Sequence, residues 1–382
     1  MRPSFLPPLH AAIRSLSLLA LTAGIASAVH ASDVELTETV QLPECHSLGW
    51  VRANTQPKEQ KTWDGVLDEA KWGTPSPQQA VSRNWDWRLT DEEWRQAVAA
   101  KGEGKKEDVK FDLWIPAGVK TAKGIVVMSG HGSGENLFKH PELRKLATEL
   151  NLALFKFVGN PMQRGFWPRS LLYDRLKEFG QKSGHPELAN APLFLYGHSN
   201  GTGFSAIFTA TESSRVWAWV SMRPGTTFQV YQPERLKCLA CDLWRRRSLP
   251  RPPFQGGKPD RGGSHAQETR RLWTSTVEPK TGHGPGGKTW PLVFSFLRHT
   301  FAARVPTDSD PGKGPIKLTV PAVESGNLGK NWDPATGGYQ TLKTAPFQTY
   351  SGEKATASWL VNEAFAKDWQ SFQREGKVAG GS

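Results

Sequence analysis

Cysteine is scarce: Cys45, Cys238 and Cys241 are the only three in 382 residues. This excludes a small fold stapled by a disulfide framework, and the odd count leaves one thiol outside any intrachain pair. Cys238-Leu-Ala-Cys241 has the spacing of a zinc-ligand pair, but no second Cys or His pair stands at a matching distance, so no metal is expected. Long apolar runs are also missing. The run at residues 16–25 is shorter than the ~18 residues a membrane helix needs, so no stable membrane anchor is expected. The 37 Gly and 28 Pro follow no collagen-like period and fall short of a low-complexity chain. With 37% hydrophobic residues the chain can build a core, which excludes disorder throughout.

Acidic residues are the minority, 36 against 48 basic, for a net charge of +12. Half of that excess sits in residues 234–271, where ten basic residues face four acidic ones. No DNA- or RNA-binding motif accompanies the cluster, so no nucleic-acid partner is expected. At the N-terminus Arg2 and Arg14, the apolar run and the small residues Ala26-Ser27-Ala28 and Val29-His30-Ala31 read as a secretory signal peptide over residues 1–31. Cleavage is expected after Ala28 or Ala31, with a periplasmic or extracellular mature protein.

Residues 32–106 are polar and rich in tryptophan (Trp50, Trp63, Trp72, Trp85, Trp87, Trp94). They read as an irregular extension with one short helix at residues 90–100. From there the pattern changes. Apolar runs at residues 109–115, 124–128, 152–158, 192–196, 216–221 and 272–277 read as buried strands. Helical patterns at residues 142–150, 170–181, 203–211 and 288–303 alternate with them. That alternation predicts an α/β domain over residues 107–304, with a mostly parallel sheet covered by helices on both faces. Residues 305–382 read as a small appendage with a strand at 316–320 and a helix at 358–372.

The chemistry concentrates in three loops. Leu193-Phe194-Leu195-Tyr196-Gly197-His198-Ser199-Asn200-Gly201-Thr202-Gly203 runs an apolar strand into Gly-x-Ser-x-Gly and then a helix, the pattern that lifts a serine hydroxyl clear on a tight turn. Ser129-Gly130-His131-Gly132-Ser133-Gly134 ends another strand and offers backbone N–H donors for a developing oxyanion; Ser133 or its neighbour and Asn200, after the serine, are the candidates. Thr281-Gly282-His283-Gly284 presents a histidine in a glycine-rich loop after a strand, suited to take the serine proton and return it to a leaving group.

These motifs resemble the α/β-hydrolase superfamily, and within it the secreted esterases similar to dienelactone hydrolase and polyhydroxybutyrate depolymerase. The resemblance covers residues 110–304. It implies an α/β-hydrolase fold, Ser199 as nucleophile, His283 as base, no cofactor, and a small-molecule or polymeric ester as substrate. It also implies an acid between residues 221 and 272, on a loop after a strand. What stands there is Cys238-Leu-Ala-Cys241-Asp242, followed by an Arg triplet and a proline cluster that a central strand does not readily hold. Asp242 is the first candidate and Asp260 the second. The same abrupt composition is what a shifted reading frame would give, since one nucleotide later codons for residues 244–250 can encode Gly-x-x-Asp-Pro-Phe. Two functions are therefore carried forward: a secreted serine esterase, and a hydrolase-fold binding protein, impaired by the lack of an acid, that recognises polysaccharide or another polymer through its tryptophans. Arg164, Trp167 and Arg169 are further candidates for touching substrate, although a solvated loop accounts for them as well.

Overall fold

The central strands form where β-branched, aromatic and other bulky apolar residues run together, because such side chains pack well on a pleated surface buried from both sides. A computed structural model describes residues 32–43, 106–159, 169–223, 239–245, 272–278, 282–283, 288–330 and 343–379. The strands are β1 (Val34–Pro43), β2 (Lys106–Ile115), β3 (Gly124–Ser129), β4 (Leu152–Val158), β5 (Leu193–His198), β6 (Val216–Met222), β7 (Leu239–Arg245) and β8 (Trp273–Glu278). They make one sheet in the order β1-β2-β4-β3-β5-β6-β7-β8. From β4 to β8 all neighbours are parallel, while β2 runs antiparallel to β4 and β1 antiparallel to β2. The helices are α1 (Gly134–Phe138), α2 (Pro141–Leu150), α3 (Arg169–Ser183), α4 (Thr202–Thr211), α5 (Trp290–Arg304) and α6 (Glu363–Glu375). This strand order, with a sharp strand-to-helix turn after β5, is that of the α/β-hydrolase fold.

The two-residue period of each strand divides its side chains between two cores. Ile125, Val127, Leu193 and Leu195 pack on one face with Leu172, Leu176 and Phe179 of α3 and Phe204 and Phe208 of α4. Val126, Met128, Phe194 and Tyr196 pack on the other with Leu143 and Leu146 of α2 and Leu292, Val293 and Phe296 of α5. Both faces are therefore covered, as a parallel sheet requires.

Three differences from the expected elements have physical causes. First, β1 lies inside the segment read as an irregular extension: Val34, Leu36 and Val40 are partly buried against the α3 face, while Glu35, Thr37, Thr39 and Gln41 point outward. Second, residues 316–320 form no strand; Thr319 instead donates its N–H to the Arg304 carbonyl (2.9 Å) and accepts from Arg304 Nε (2.8 Å). Third, the helix expected from residue 358 begins later. Residues 358–360 pair as β11 (Ser358–Leu360) with β9 (Asn327–Gly329), which also pairs with β10 (Thr344–Pro346). Asn362 then caps α6, its side chain accepting from Phe365 N–H at 2.8 Å, and Gly376 ends the helix in the left-handed region (φ 72°).

The appendage seals an edge of the large sheet. Ser358 Oγ accepts from Ser275 N–H (2.8 Å), Trp369 Nε1 donates to the Ser275 carbonyl (3.0 Å), and Thr274 Oγ1 donates to the Trp359 carbonyl (2.5 Å). The outer face of β8 thus has partners at Ser275 for both backbone polar groups, which otherwise would invite another strand. The expected signal peptide, the helix at 90–100, Cys45, Cys238, Asp260, Arg164 and Trp167 lie outside the described residues. Arg169 opens α3 and Cys241 lies in β7.

Candidate active site

The carboxyl ends of the parallel strands carry the expected loops. At the end of β5 the chain turns through a 3-10 turn (Ser199–Gly201) into α4, and Ser199 takes φ 55°, a left-handed conformation costing an L-residue roughly 1–3 kcal/mol. Small neighbours permit this turn. A Cβ on Gly197 would strike the Gly201 carbonyl and lie 2.8 Å from Ser205 Oγ, and one on Gly201 would lie 2.7 Å from Ser129 Oγ. Gly197 is thus required by close backbone approach, and Gly201 by the close approach of the Ser129 side chain.

Ser199 and His283, 84 residues apart in sequence, meet here. Ser199 Oγ lies 2.6 Å from His283 Nε2, within reach for the hydroxyl to donate to a neutral imidazole. Asn200 is exposed and its N–H belongs to the first turn of the helix that follows, where backbone donors have no intrahelical partner.

The oxyanion expectation for Ser133 needs correction. Ser133 is fully buried, and its N–H is given to His198 Nδ1 at 2.9 Å, so that amide is not turned toward a substrate. Its hydroxyl lies 2.6 Å from Tyr196 Oη. His131 N–H reaches Ser129 Oγ only at 3.4 Å, and Gly132 N–H has no hydrogen-bond partner among the described residues. Gly132 takes φ 66°, and a Cβ there would sit 2.6 Å from His198 Nδ1.

Asp242 lies inside β7, level with Ser221 of β6 and Ser275 of β8, rather than on a loop after the strand. His198 is level with Met222, and Met222 with Leu243. Asp242 therefore stands two positions short of the level of Ser199, about 7 Å along the strand at about 3.3 Å per residue. The described part of β7 reaches Arg245, the first residue of the Arg triplet.

Sequence reasoning missed two groups beside the site. His198, the residue before Ser199, has a side chain that is buried, and its Nε2 faces the His283 carbonyl at 3.2 Å. Burial, then the positive charges of His283 and Arg223, pushes its imidazole down to about 4. Arg223, at φ 47° just beyond β6, forms a buried ion pair with Glu278 at the end of β8 (2.5 Å), and Thr289 donates to the same carboxylate oxygen. An apolar strand ending in a lone charge signals such a pair only weakly.

No protein-family model matches the chain, and no curated protein sequence matches it. Among solved structures it is similar to a thermostable esterase, at 13% identity over 51% of this chain and 59% of that one with a TM-score of 0.35. It is also similar to Est1E from Butyrivibrio proteoclasticus, at 12% identity over 51% of this chain and 95% of that one, TM-score 0.35. A third is a cold-adapted esterase from an Arctic intertidal metagenomic library, at 16% identity, 50% and 87% coverage and TM-score 0.34.

Proposed function

We propose that the chain is a serine hydrolase that cleaves a carboxylic ester through an acyl-enzyme on Ser199. The observation that carries this reading is the 2.6 Å approach of His283 Nε2 to Ser199 Oγ at a strained strand-to-helix turn. In the reaction, Oγ attacks the ester carbonyl carbon as its proton passes to His283 Nε2, giving a tetrahedral oxyanion. Donors for that oxygen are the Asn200 amide and, in place of Ser133, the Gly132 amide. Collapse expels the alcohol, which takes the proton from His283; water activated by the same imidazole then releases the acid and restores Ser199.

For the acid that orients the imidazole, Asp242 is proposed first. The register that holds it inside β7 makes Asp260 the second variant to prepare. Replacement of the true acid by Asn is expected to lower kcat by about four orders of magnitude, the scale seen when a triad imidazole loses its orienting carboxylate. The narrower likeness to dienelactone hydrolase and polyhydroxybutyrate-depolymerase-like esterases, and export to the periplasm or medium, belong to this proposal on the strength of the motifs and residues 1–31.

The test is hydrolysis of a short-chain p-nitrophenyl ester together with fluorophosphonate labelling mapped by peptide mass spectrometry. Turnover and a Ser199 adduct, both lost in Ser199→Ala and His283→Ala, are the expected result, with kcat falling by about four to six orders of magnitude. A folded protein that neither turns over nor labels, yet binds saccharide, would replace this reading with that of a binding protein.

A further inference from the structure

His198 occupies the variable position of Gly-x-Ser-x-Gly, yet its surroundings are those of a working part. Its side chain sits between the two loops the reaction needs. Nδ1 accepts the Ser133 N–H at 2.9 Å, which fixes that nitrogen as unprotonated; the ring proton of the neutral imidazole is then on Nε2, facing the His283 carbonyl at 3.2 Å. The two histidine rings lie 5.3 Å apart at 55°. Gly132 leaves the room this ring occupies, since any Cβ there would overlap it.

We propose that His198 is a positioning residue: a neutral, Nε2-protonated imidazole that ties the backbone of the base His283 to the oxyanion loop and holds both against the nucleophile turn. This rests on the hydrolase reading of the same site and gives that site a fourth member. The titratable or charged groups around the ring are His283 from the loop after β8, Arg223 from the end of β6, His131 from the loop after β3, and Tyr196 of β5 through the Ser133 hydroxyl. The first three are bases, so they and burial oppose a charge on His198. That opposition matters during catalysis. When His283 takes the serine proton, a second cation 5.3 Å away would disfavour the imidazolium, and a protonated Nδ1 would turn a donor toward the Ser133 N–H. A neutral ring does neither, and it keeps both tethers in place through the cycle.

The experiment has two arms on the full chain. Nitrogen-15 spectra of the imidazoles of the wild-type protein should show His198 neutral and Nε2-protonated from about pH 5 to 8, without a midpoint in that interval. A midpoint near the ordinary histidine value, or an Nδ1-protonated tautomer, would overturn the proposal without recourse to activity. In the second arm His198→Ala should lower kcat for a p-nitrophenyl ester by about 30-fold to 100-fold, as loss of reacting geometry does, while KM moves less than about threefold. His198→Gln, whose amide reaches toward the His283 carbonyl, should recover at least about fivefold of that loss. Unchanged kcat in His198→Ala with only a lower melting temperature would make His198 a packing residue and overturn the proposal. An active wild type with an intact alanine variant defeats the His198 proposal alone; an inert wild type defeats the hydrolase reading itself and the positioning role with it.

Discussion

At the scale of single residues, two positions have measurable consequences, one through backbone conformation and one through suppressed charge. Gly132 has φ 66° and no room for a Cβ beside the His198 ring. Gly132→Ala is expected to cost about 1–3 kcal/mol in urea denaturation and to lower kcat as well, because the ring that must give way also tethers His283. His198, pushed down to about 4 by burial and then by neighbouring positive charge, takes up no proton in the folded state over a range where the unfolded chain does. His140 and His299 are lowered in the same direction, chiefly by burial. Where the unfolded state binds more protons, stability rises with pH. The folded protein should therefore lose stability as pH falls from about 6.5 toward about 4, by up to roughly 1.4 kcal/mol per pH unit for His198. Urea denaturation across this interval checks it: the stability gap between wild type and His198→Gln should narrow as pH falls.

At the scale of elements, the Arg223–Glu278 pair joins the ends of β6 and β8 across the end of β7. Both side chains are about 2% exposed, so removal of one breaks a buried charge pair. Arg223→Met is expected to cost about 3–5 kcal/mol by chemical denaturation, and a second change, Glu278→Leu, to restore part of it. The elements themselves were unequally legible. Strands β3 to β6 could be read because burial on both faces writes a mostly apolar run, broken in β4 only by the buried, ion-paired Lys156, and β4 falls on the expected residues 152–158. β1 was also written, in the alternation Val34, Leu36, Val40, Leu42, but its partner β2 begins more than sixty residues later, and polar neighbours hid it. Residues 316–320 have a strand's composition, yet the backbone N–H and carbonyl of Thr319 are engaged by Arg304, a contact that no local pattern announces. Ser199 and His283 could be singled out because each stands in a glycine-rich loop directly after an apolar strand, and the structure brings the two side chains together. The Ser133 amide was misassigned because its acceptor, a ring 65 residues away, is visible only in three dimensions.

At the scale of the whole molecule, the sheet has two different edges. β1 presents Glu35, Thr37, Thr39 and Gln41 outward, with charges such as Glu38 paired to Lys182 of α3 (2.5 Å), a polar border that discourages pairing. β8 instead depends on the appendage. Trp369 is fully buried, and its indole N–H reaches the β8 backbone. Trp369→Ala is expected to cost about 3–5 kcal/mol, and a chain ended at Arg304 to aggregate on light scattering where the full chain does not. Because β8 is made first and Ser358 on the order of eighty residues later, a chain growing at about 5–20 residues per second leaves that border unsealed for about 4–16 s. For that interval the newborn sheet is an open template, and whatever keeps stray strands from it has to be supplied from outside the chain.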